Sequence, residues 1–519
     1  MGALALLAAA WFSPRVVPFN MDEFVHYHAL GCATASHARE LPSIRDGCGY
    51  YDLRLPFTGT PLPLRSYYYI GSIPALPFYP FWRLVEDPVA ARLAGAGWFI
   101  VCTILAGGLV RVGASSIVLA SLVFPVWLVT FLVDEGPIGF SAVLLLLALA
   151  AARRALQAPR AGASAFWAAA AGLALFLGIW TKLVFAWWLP TVAVFVLEEA
   201  RRQGLSVAAA ARRRLPALLT GAAFLAVPTA LLLASVDRDG RPYAAALKQG
   251  GLSSEPEDVE AVAVRLVRYV TDGSLVAPRN LLLPASRLDA LPFLLSAFLL
   301  VRGGPRTERR RELLTWAILS VLTFGFVASS GYSQWPHHFA FPLLPLVLAL
   351  ALALESLAGR ERLAVATLVA VFWATLGARL PSARTPAESS ADKDRLLAFV
   401  RHRGLDRERL QIHASWGTYY IAQLFGDPAR MVVYARRVSD DPARLRQLAE
   451  LARAQRRPLL LLSSRRFERL HTPAVEAAFG RPLHTWQFGA WWAVEYHPPP
   501  GDWPLSPRIP LRRLPGGVH

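Results

Sequence analysis

Two pairs of adjacent carboxylates stand where long apolar runs of the sequence end. Asp22-Glu23 follows the first run, and Asp134-Glu135 follows the third. Acidic residues are favoured at helix N-termini, so each pair alone could be a solvated helix start. A carboxylate beside a low-dielectric region can have a raised pKa and serve as a general base near neutral pH. Two pairs predicted on the same face favour the functional interpretation.

Cationic and imidazole groups occur at similar positions along the chain. Lys182 ends the run 161–181, and His337-His338 precede the run 339–354. A lysine there could bind an anion such as a lipid phosphate, or it could only anchor the helix end by extending to the headgroups. The histidines could donate to a phosphate or an acceptor sugar, or be ordinary interfacial polar residues.

The elements that must position these residues follow from composition. The 519 residues include 54 Lys and Arg against 36 Asp and Glu, a net charge of +18, with 17% charged and 55% hydrophobic residues. Soluble proteins carry about 25% charged residues, so this chain is too apolar for that class. The basic residues form short clusters between apolar runs, which is typical of the positive-inside rule and not of a nucleic-acid-binding protein. We predict a polytopic protein of the plasma membrane.

About eleven runs could cross the bilayer, since a span needs about 20 largely apolar residues. The first, 2–17, is short and could instead be a signal peptide, although it has no basic n-region and no clear cleavage site. The predicted runs are 2–17, 93–110, 112–133, 136–152, 161–181, 183–197, 215–236, one ending at Val301, 313–336, 339–354 and 363–378.

Alternate connections carry the arginines, and the positive-inside rule places that side in the cytoplasm. The N-terminus then lies inside and the C-terminus outside, because the number of spans is odd. Two long loops, 19–88 and 237–288, lie on the outer side. The arginines concerned are Arg111, Arg153, Arg154, Arg160, Arg201, Arg202, Arg212 to Arg214, Arg302, Arg306, Arg309 to Arg311, Arg360 and Arg362.

The composition changes near residue 381, and the remainder, 381–519, is predicted to be a soluble extracytoplasmic α/β domain. Residues 1–380 form the membrane domain. In the soluble part we expect a helix at 392–402, a strand leading into an aromatic turn at 409–420, a helix at 444–456, a buried strand at 458–462 and a terminal or edge strand at 486–496.

Three cysteines occur in the chain. Cys102 lies in an apolar span, where it is expected to be a small core residue. Cys32 and Cys48 both fall in the first outer loop, on the oxidising side, where a disulfide between them could form. The sequence leaves open whether they are paired or free.

Several features together resemble the GT-C superfamily of membrane glycosyltransferases. They are Asp22-Glu23 before a long outer loop, the segment 87–93 that contains Arg92, an acidic residue before Pro137, Thr181-Lys182, and the Phe-Pro-Leu-Leu-Pro helix start at 341–345. The resemblance covers residues 1–380. Within the superfamily, the sequence is similar to aminoarabinose transferases, protein O-mannosyltransferases and rhizobial lipopolysaccharide transferases. It implies an all-α polytopic fold of about eleven transmembrane helices.

The resemblance also implies a reaction. A polyprenyl-phosphate-linked sugar donor would transfer its sugar, with inversion, to a lipid, glycan or protein acceptor at the outer face. Asp22 would be the base with Glu23 beside it, and Lys182 would lie near the donor phosphate. The further positions it implies are Asp134 or Glu135 as a second acid at the donor phosphate or a metal, and Arg92, His337 and His338 as substrate contacts. Relatives often have Arg or Tyr in place of the two histidines. Whether a divalent cation bridges the second acid and the phosphate stays open.

Two other classes of protein compete with this interpretation. A secondary transporter would place its ionisable residues in broken helices near the membrane midplane, whereas the acids and Lys182 are predicted at helix ends. A non-catalytic envelope assembly protein, with the C-terminal part as a binding domain, would leave the acidic pairs unexplained.

Overall fold

The structure is a computed structural model of the whole chain. It describes residues 2–15, 17–20, 22–34, 52–54, 61–67, 70–133, 137–204, 207–236, 242–244, 260–264, 267, 286–307, 309–330, 336–382, 390–425, 432–434, 442–454, 456–464 and 472–497.

Long apolar helices form most of the part that corresponds to residues 1–380. In lipid, backbone polar groups must be bonded within the chain, which is why apolar runs of this length become helices. These elements are α1 (Gly2–Phe12), α2 (Asp22–Val25), α3 (His28–Thr34), α4 (Ala75–Val85), α5 (Val89–Val110), α6 (Ala114–Val123), α7 (Pro125–Leu132), α8 (Ile138–Gln157), α9 (Ala161–Thr181), α10 (Leu189–Arg202), α11 (Val207–Ala234), α12 (Leu291–Gly303), α13 (Arg310–Ser329), α14 (Leu343–Glu355) and α15 (Gly359–Arg379).

The expected all-α polytopic architecture is confirmed. Among the described residues, nine helices are long and apolar enough to cross a membrane, and α6 with α7 would be a tenth span. These two helices meet at 92°. The bend follows from Pro125, because the preceding residue, Phe124, is pushed into an extended conformation. The predicted first span contains only the 11-residue helix α1, which is shorter than a bilayer crossing requires.

Small residues let two of the long helices approach closely. A Cβ built at Gly172 in α9 would lie 2.1 Å from the carbonyl oxygen of Gly221 in α11. Only glycine fits at such a contact, which is the usual way helices pack tightly in membranes. This contact holds the long helix α11 against α9, whose other end carries Lys182.

The arginine-rich connections meet at one end of the bundle, as the sequence predicted. Arg153 pairs with Glu199 at 2.8 Å, and Glu199 also accepts from Arg202 at 3.0 Å. Arg202 in turn pairs with Glu312 at 2.9 Å, and Arg309 contacts the same carboxylate. Because these residues come from α8, α10 and the start of α13, the ion pairs join three connections that are distant in sequence.

The described residues of the first long loop, 19–88, form two small hairpins, and the C-terminal part forms a sheet flanked by helices. The hairpins pair β1 (Asp52–Arg54) with β2 (Pro61–Pro63) and β3 (Arg65–Tyr67) with β4 (Ile70–Gly71). The C-terminal elements are α16 (Ala391–His402), α17 (Leu405–Glu408), β5 (Leu410–His413), α18 (Trp416–Leu424), β6 (Val432–Tyr434), α19 (Pro442–Ala454), β7 (Leu459–Ser464), α20 (Pro473–Phe479), β8 (Pro482–Phe488) and β9 (Trp491–Tyr496).

The five-stranded sheet has the order β6-β5-β7-β9-β8. β5 is parallel to β6 and β7, while β9 is antiparallel to β7 and β8. The predicted α/β character is therefore confirmed, but two details of the prediction were wrong. The aromatic segment after β5 is the helix α18 and not a turn. Residues 486–496 are not one strand, because Gly489, at φ +57°, turns the chain between β8 and β9.

The C-terminal part packs directly on the first long loop and the start of α5. One continuous apolar core includes Phe24 and Phe78 from the loop and Tyr420 and Trp491 from the domain. The Trp82 indole donates to the Leu424 carbonyl oxygen at 2.8 Å. The domain therefore lies at the end of the bundle opposite the arginine-rich connections.

A buried ion pair fixes the end of the last long helix. Arg379 donates to both oxygens of Asp289, at 2.5 and 2.9 Å, and Asp289 is fully buried. Asp289 also accepts from the Ser286 backbone and so caps the helical turn before α12. These acidic and basic residues, which interrupt an apolar run in the sequence, thus join α12 to α15 where the chain leaves for the C-terminal domain.

Candidate active site

Asp22 begins the short helix α2, directly after the chain leaves α1 and its following turn. Its side chain is half-buried, whereas the neighbouring Glu23 is 1% exposed. In a helical turn, successive side chains point about 100° apart, so the two carboxylates face different surroundings. This difference separates two residues that the sequence alone treats as a pair.

Glu23 is held by Arg92 from the first turn of α5. The guanidinium Nε lies 2.9 Å from Oε2 and Nη2 lies 3.0 Å from Oε1, a bidentate pair with both side chains buried. Glu23 Oε1 also accepts the Asn20 N–H at 2.8 Å. Burial raises the pKa of Glu23 above its ordinary value, and the Arg92 charge and hydrogen bonds act against that shift. The Glu23 carboxylate thus joins the Asn20 backbone to Arg92 and fixes the turn before α2.

All five N–H donors of Arg92 form hydrogen bonds within the protein. Besides Glu23, it donates to Ser13 Oγ at 3.1 Å, Val17 O at 2.7 Å and Pro18 O at 3.2 Å. A guanidinium has five donors and no acceptor, so none remains for a substrate. These bonds give Arg92 a structural role, and the substrate contact expected from the sequence stays a prediction.

Lys182 lies at the end of α9, where the first long loop crosses the helix. Ile70 forms an antiparallel bridge with Lys182, and the Trp180 indole donates to Leu64 O at 2.6 Å. A Cβ at Gly71 would lie 1.7 Å from the Trp180 carbonyl oxygen, so the loop can approach this closely only with glycine there. The Lys182 side chain is 0% exposed. It is enclosed by protein, which argues against the alternative of a headgroup anchor.

His26 brings the Asp22 turn and Lys182 together. Its Nδ1 lies 3.1 Å from the Asp22 carbonyl oxygen, and the Lys182 charge is close enough to lower its pKa. Desolvation is the larger cause, and the pKa of His26 falls to about 3. The His26 ring lies against the Tyr27 ring, with centroids 4.0 Å apart and the planes tilted by 57°. A neutral imidazole, a buried ammonium and the Asp22 turn therefore occupy one place at the outer-loop end of the bundle.

His28 lies at the contact with the C-terminal domain. It is fully buried, hydrogen-bonded to the Gln423 side chain, and its ring meets that of Tyr420 at 4.8 Å. Burial lowers the pKa of His28 to about 3, and the bond to Gln423 only partly opposes this. Both histidines are therefore neutral in the folded protein at ordinary pH.

We expect the protein to lose stability as the pH falls below about 6.5. The unfolded chain binds protons at both histidines there, while the folded chain does so only near pH 3, so stability rises with pH across this window. Each histidine contributes up to about 1.4 kcal/mol per pH unit. Melting temperatures in nanodiscs at pH 7 and pH 5 would measure the slope. His28→Phe should flatten it, the exposed control His402→Asn should not, and equal slopes in all three would contradict the prediction.

His337 and His338 lie in a 3-10 turn, Pro336–Ala340, before α14. His338 is buried and meets the Trp187 ring edge-on at 5.8 Å, and the two imidazoles are 4.2 Å apart. Trp187 is only five residues beyond Lys182 in sequence. The histidine turn therefore packs on the short helical segment that follows Lys182.

Several predicted site residues lie outside the described residues. Asp134 and Glu135 fall between α7 and α8, and Cys48 lies in the first outer loop; the side chain of Cys32 is likewise not described. The second acid and the disulfide therefore stay predictions. Cys102 is a buried free cysteine, as expected. Within the described part of the chain, no cluster of three His, Cys, Asp or Glu could hold a metal ion.

Comparison with solved structures decides the fold. ArnT from Cupriavidus metallidurans in the apo state overlaps 95% of this chain and 97% of its own, with 14% identity and a TM-score of 0.51. The same protein bound to undecaprenyl phosphate has the same coverage, 15% identity and a TM-score of 0.54. The chain has the GT-C fold.

The other comparisons add little to this result. An oligosaccharyltransferase from Archaeoglobus fulgidus, in complex with Zn and sulfate, overlaps 88% of this chain and 67% of its own at 14% identity, with a TM-score of 0.41. No protein-family model matches the sequence, and no curated protein matches it.

In this GT-C fold, the described site residues come from four distant parts of the chain. Asp22, Glu23 and His26 follow α1, Arg92 lies in the first turn of α5, Lys182 follows α9, and His337 and His338 precede α14. Sequence reasoning missed the histidines His26 and His28 as buried parts of the site. Their position within six residues of Asp22 was the available signal, but nothing local distinguishes a buried imidazole from an exposed one.

Proposed function

We propose that the chain is a glycosyltransferase that moves a sugar from a polyprenyl-phosphate donor to an acceptor at the outer face of the membrane. The observation that carries the proposal is the meeting of Asp22, His26 and the buried Lys182 at one end of the bundle. ArnT bound to undecaprenyl phosphate, which has the same fold, supports a donor of this kind.

The chemistry follows from charge and position. An inverting transfer needs a base for the acceptor proton, and Asp22 is the half-buried carboxylate at this site. As the acceptor oxygen attacks the anomeric carbon, the bond to the lipid phosphate breaks and negative charge develops on the phosphate. The Lys182 ammonium stabilises that charge. Glu23 and Arg92 hold the turn, and His337 and His338 are the further candidates for substrate contacts.

The proposal leaves the acceptor as a lipid, a glycan or a protein. A divalent cation held by Asp134 or Glu135 would add to the neutralisation of the donor phosphate. We retain the division into a membrane domain, 1–380, and a soluble domain, 381–519. The ionisable groups described here lie at helix ends, which supports an enzyme over a transporter with a midplane site.

The proposed orientation places the arginine-rich end in the cytoplasm and the soluble domain outside. A reporter that works only outside the cytoplasm should therefore be active when fused after Arg379. The same reporter fused after Leu357, at the arginine-rich end, should be silent and serves as the matched control. Activity only at the second position would reverse the orientation and remove the outer-face site.

Lys182→Met should impair use of the donor. Methionine keeps the length and apolar stem of the buried side chain but removes its charge. Losing a charged contact to phosphate costs about 1.5–3 kcal/mol, or about a 10- to 100-fold loss in kcat/KM for the donor. The measurement is initial rate at limiting donor, with undecaprenyl phosphate binding measured in parallel. Arg83→Met, which removes an exposed cation of the same outer loop, is the control. A normal rate for Lys182→Met would remove the lysine from the mechanism.

A further inference from the structure

Two consecutive residues of the soluble domain bind the backbone of the membrane domain immediately before Asp22. Asp394 Oδ2 accepts the N–H of Phe19 at 3.1 Å. The ammonium of Lys393 donates to the carbonyl oxygen of the same residue. Both peptide groups of Phe19 are therefore held by the first turn of α16, 374 and 375 positions away in sequence.

This contact is buried and electrically matched. Lys393 is 0% exposed, and its Nζ lies 3.3 Å from Asp394 Oδ1. Its charge also acts on Glu23, where it lowers the pKa against the effect of burial. A buried ammonium is costly unless acceptors and an opposite charge surround it, and here it has both. Such a residue is unlike a surface lysine on a loosely attached domain.

The turn that carries the two residues is itself fixed to the sheet. Ser390 caps α16 by accepting from the Lys393 backbone. The Trp491 indole, from the buried strand β9, donates to the same Ser390 hydroxyl at 3.0 Å. Lys393 and Asp394 therefore stand on a rigid base and not on a free linker.

The opposite side of the same segment is held by the membrane domain. Arg92 binds the carbonyl oxygens of Val17 and Pro18, and Glu23 accepts the N–H of Asn20. Backbone groups of four consecutive residues, 17–20, are thus fixed by side chains from both domains. Asp22 follows two residues later, so its position depends on this grip.

We propose that Lys393 and Asp394 are positioning residues, through which the soluble domain sets the place of the Asp22 carboxylate. This inference rests on the proposed function, and it makes the soluble domain part of the catalytic site and not a separate module. A displacement of about 1 Å at a reacting group can lower the rate by about 10²-fold.

Hydrogen–deuterium exchange of the full chain in nanodiscs tests the grip without any substrate. Asp394→Leu and Lys393→Met should speed exchange in the peptide covering 17–25 by about tenfold or more, while the peptide covering α18 stays protected. Asp394→Asn keeps an acceptor oxygen for the Phe19 N–H but removes the charge beside Lys393, so its exchange should lie between that of wild type and that of Asp394→Leu. Arg395→Met, which changes an exposed neighbour on the same helix, should behave as wild type. Unchanged exchange in Asp394→Leu would contradict the claim that Lys393 and Asp394 hold the backbone of residues 17–20.

Kinetics test the positioning role. We expect kcat to fall about 10- to 100-fold in Asp394→Leu and Lys393→Met and by less in Asp394→Asn, with unchanged binding of undecaprenyl phosphate in all three. Faster exchange with normal kcat would overturn the positioning role. If Lys393→Met loses protection throughout the soluble domain, the Asp394→Leu and Asp394→Asn comparison decides. A wild-type chain that transfers no sugar would defeat the proposed function, while the exchange result would still decide the grip.

Discussion

Asp22→Asn should lose turnover by about 10²–10⁴-fold, the usual effect of removing a general base. Asparagine keeps the shape of the half-buried side chain and removes only its basicity. Insertion into the membrane, thermal stability and binding of undecaprenyl phosphate should stay at wild-type levels. The measurement is single-turnover transfer in nanodiscs from the polyprenyl-phosphate donor, so that binding and chemistry are separated.

Glu23→Gln is the matched comparison for that variant, since it makes the same chemical change one residue away. Because Glu23 is bound to Arg92 and Asn20, its loss should lower stability first and rate only through the displaced turn. A wild-type rate in Asp22→Asn would refute the base. If Glu23→Gln were stable but inactive while Asp22→Asn kept its activity, the general base would be Glu23 and not Asp22.

Arg92→Met should be among the most destabilising single changes in the chain. It leaves the buried Glu23 charge without its partner and frees the carbonyl oxygens of Val17 and Pro18. Breaking a buried ion pair from one side costs about 3–5 kcal/mol. Thermal unfolding in nanodiscs measures the loss.

Two controls define that result. Arg401→Met removes a partly exposed pair with Asp87, at 4.0 Å, and should cost at most about 1 kcal/mol. The double change Arg92→Met with Glu23→Leu removes both charges and should recover part of the stability. If Arg92→Met has the same melting temperature as wild type, the bidentate pair of Arg92 and Glu23 does not hold the turn before Asp22.

The membrane architecture could be predicted because hydropathy is local. Each of the eleven apolar runs contains a helix, and even the 92° bend has a local cause in Pro125. The hairpin of β8 and β9 was missed because a single residue, Gly489, turns the chain within residues 486–496, which were predicted to form one strand. One residue with a left-handed backbone conformation does not change the alternation of apolar and polar side chains from which strands are predicted.

The candidate site could be predicted only in part, because its contacts join distant positions. Asp22 and Lys182 were found from their places at the ends of apolar runs. Glu23 and Arg92 are 69 positions apart, and no spacing rule pairs them. Lys393 was not singled out in the sequence, since its burial depends on a contact with residues near position 19 that forms only in the folded protein.

The proposed reaction adds a sugar to an envelope component. The most direct measurement is mass spectrometry of envelope lipids and glycans from cells with the wild-type gene, without the gene, and with the gene encoding Asp22→Asn. We predict one component with the mass of an added sugar in the first cells, and the same component without it in the other two. Identical spectra from all three would contradict the account.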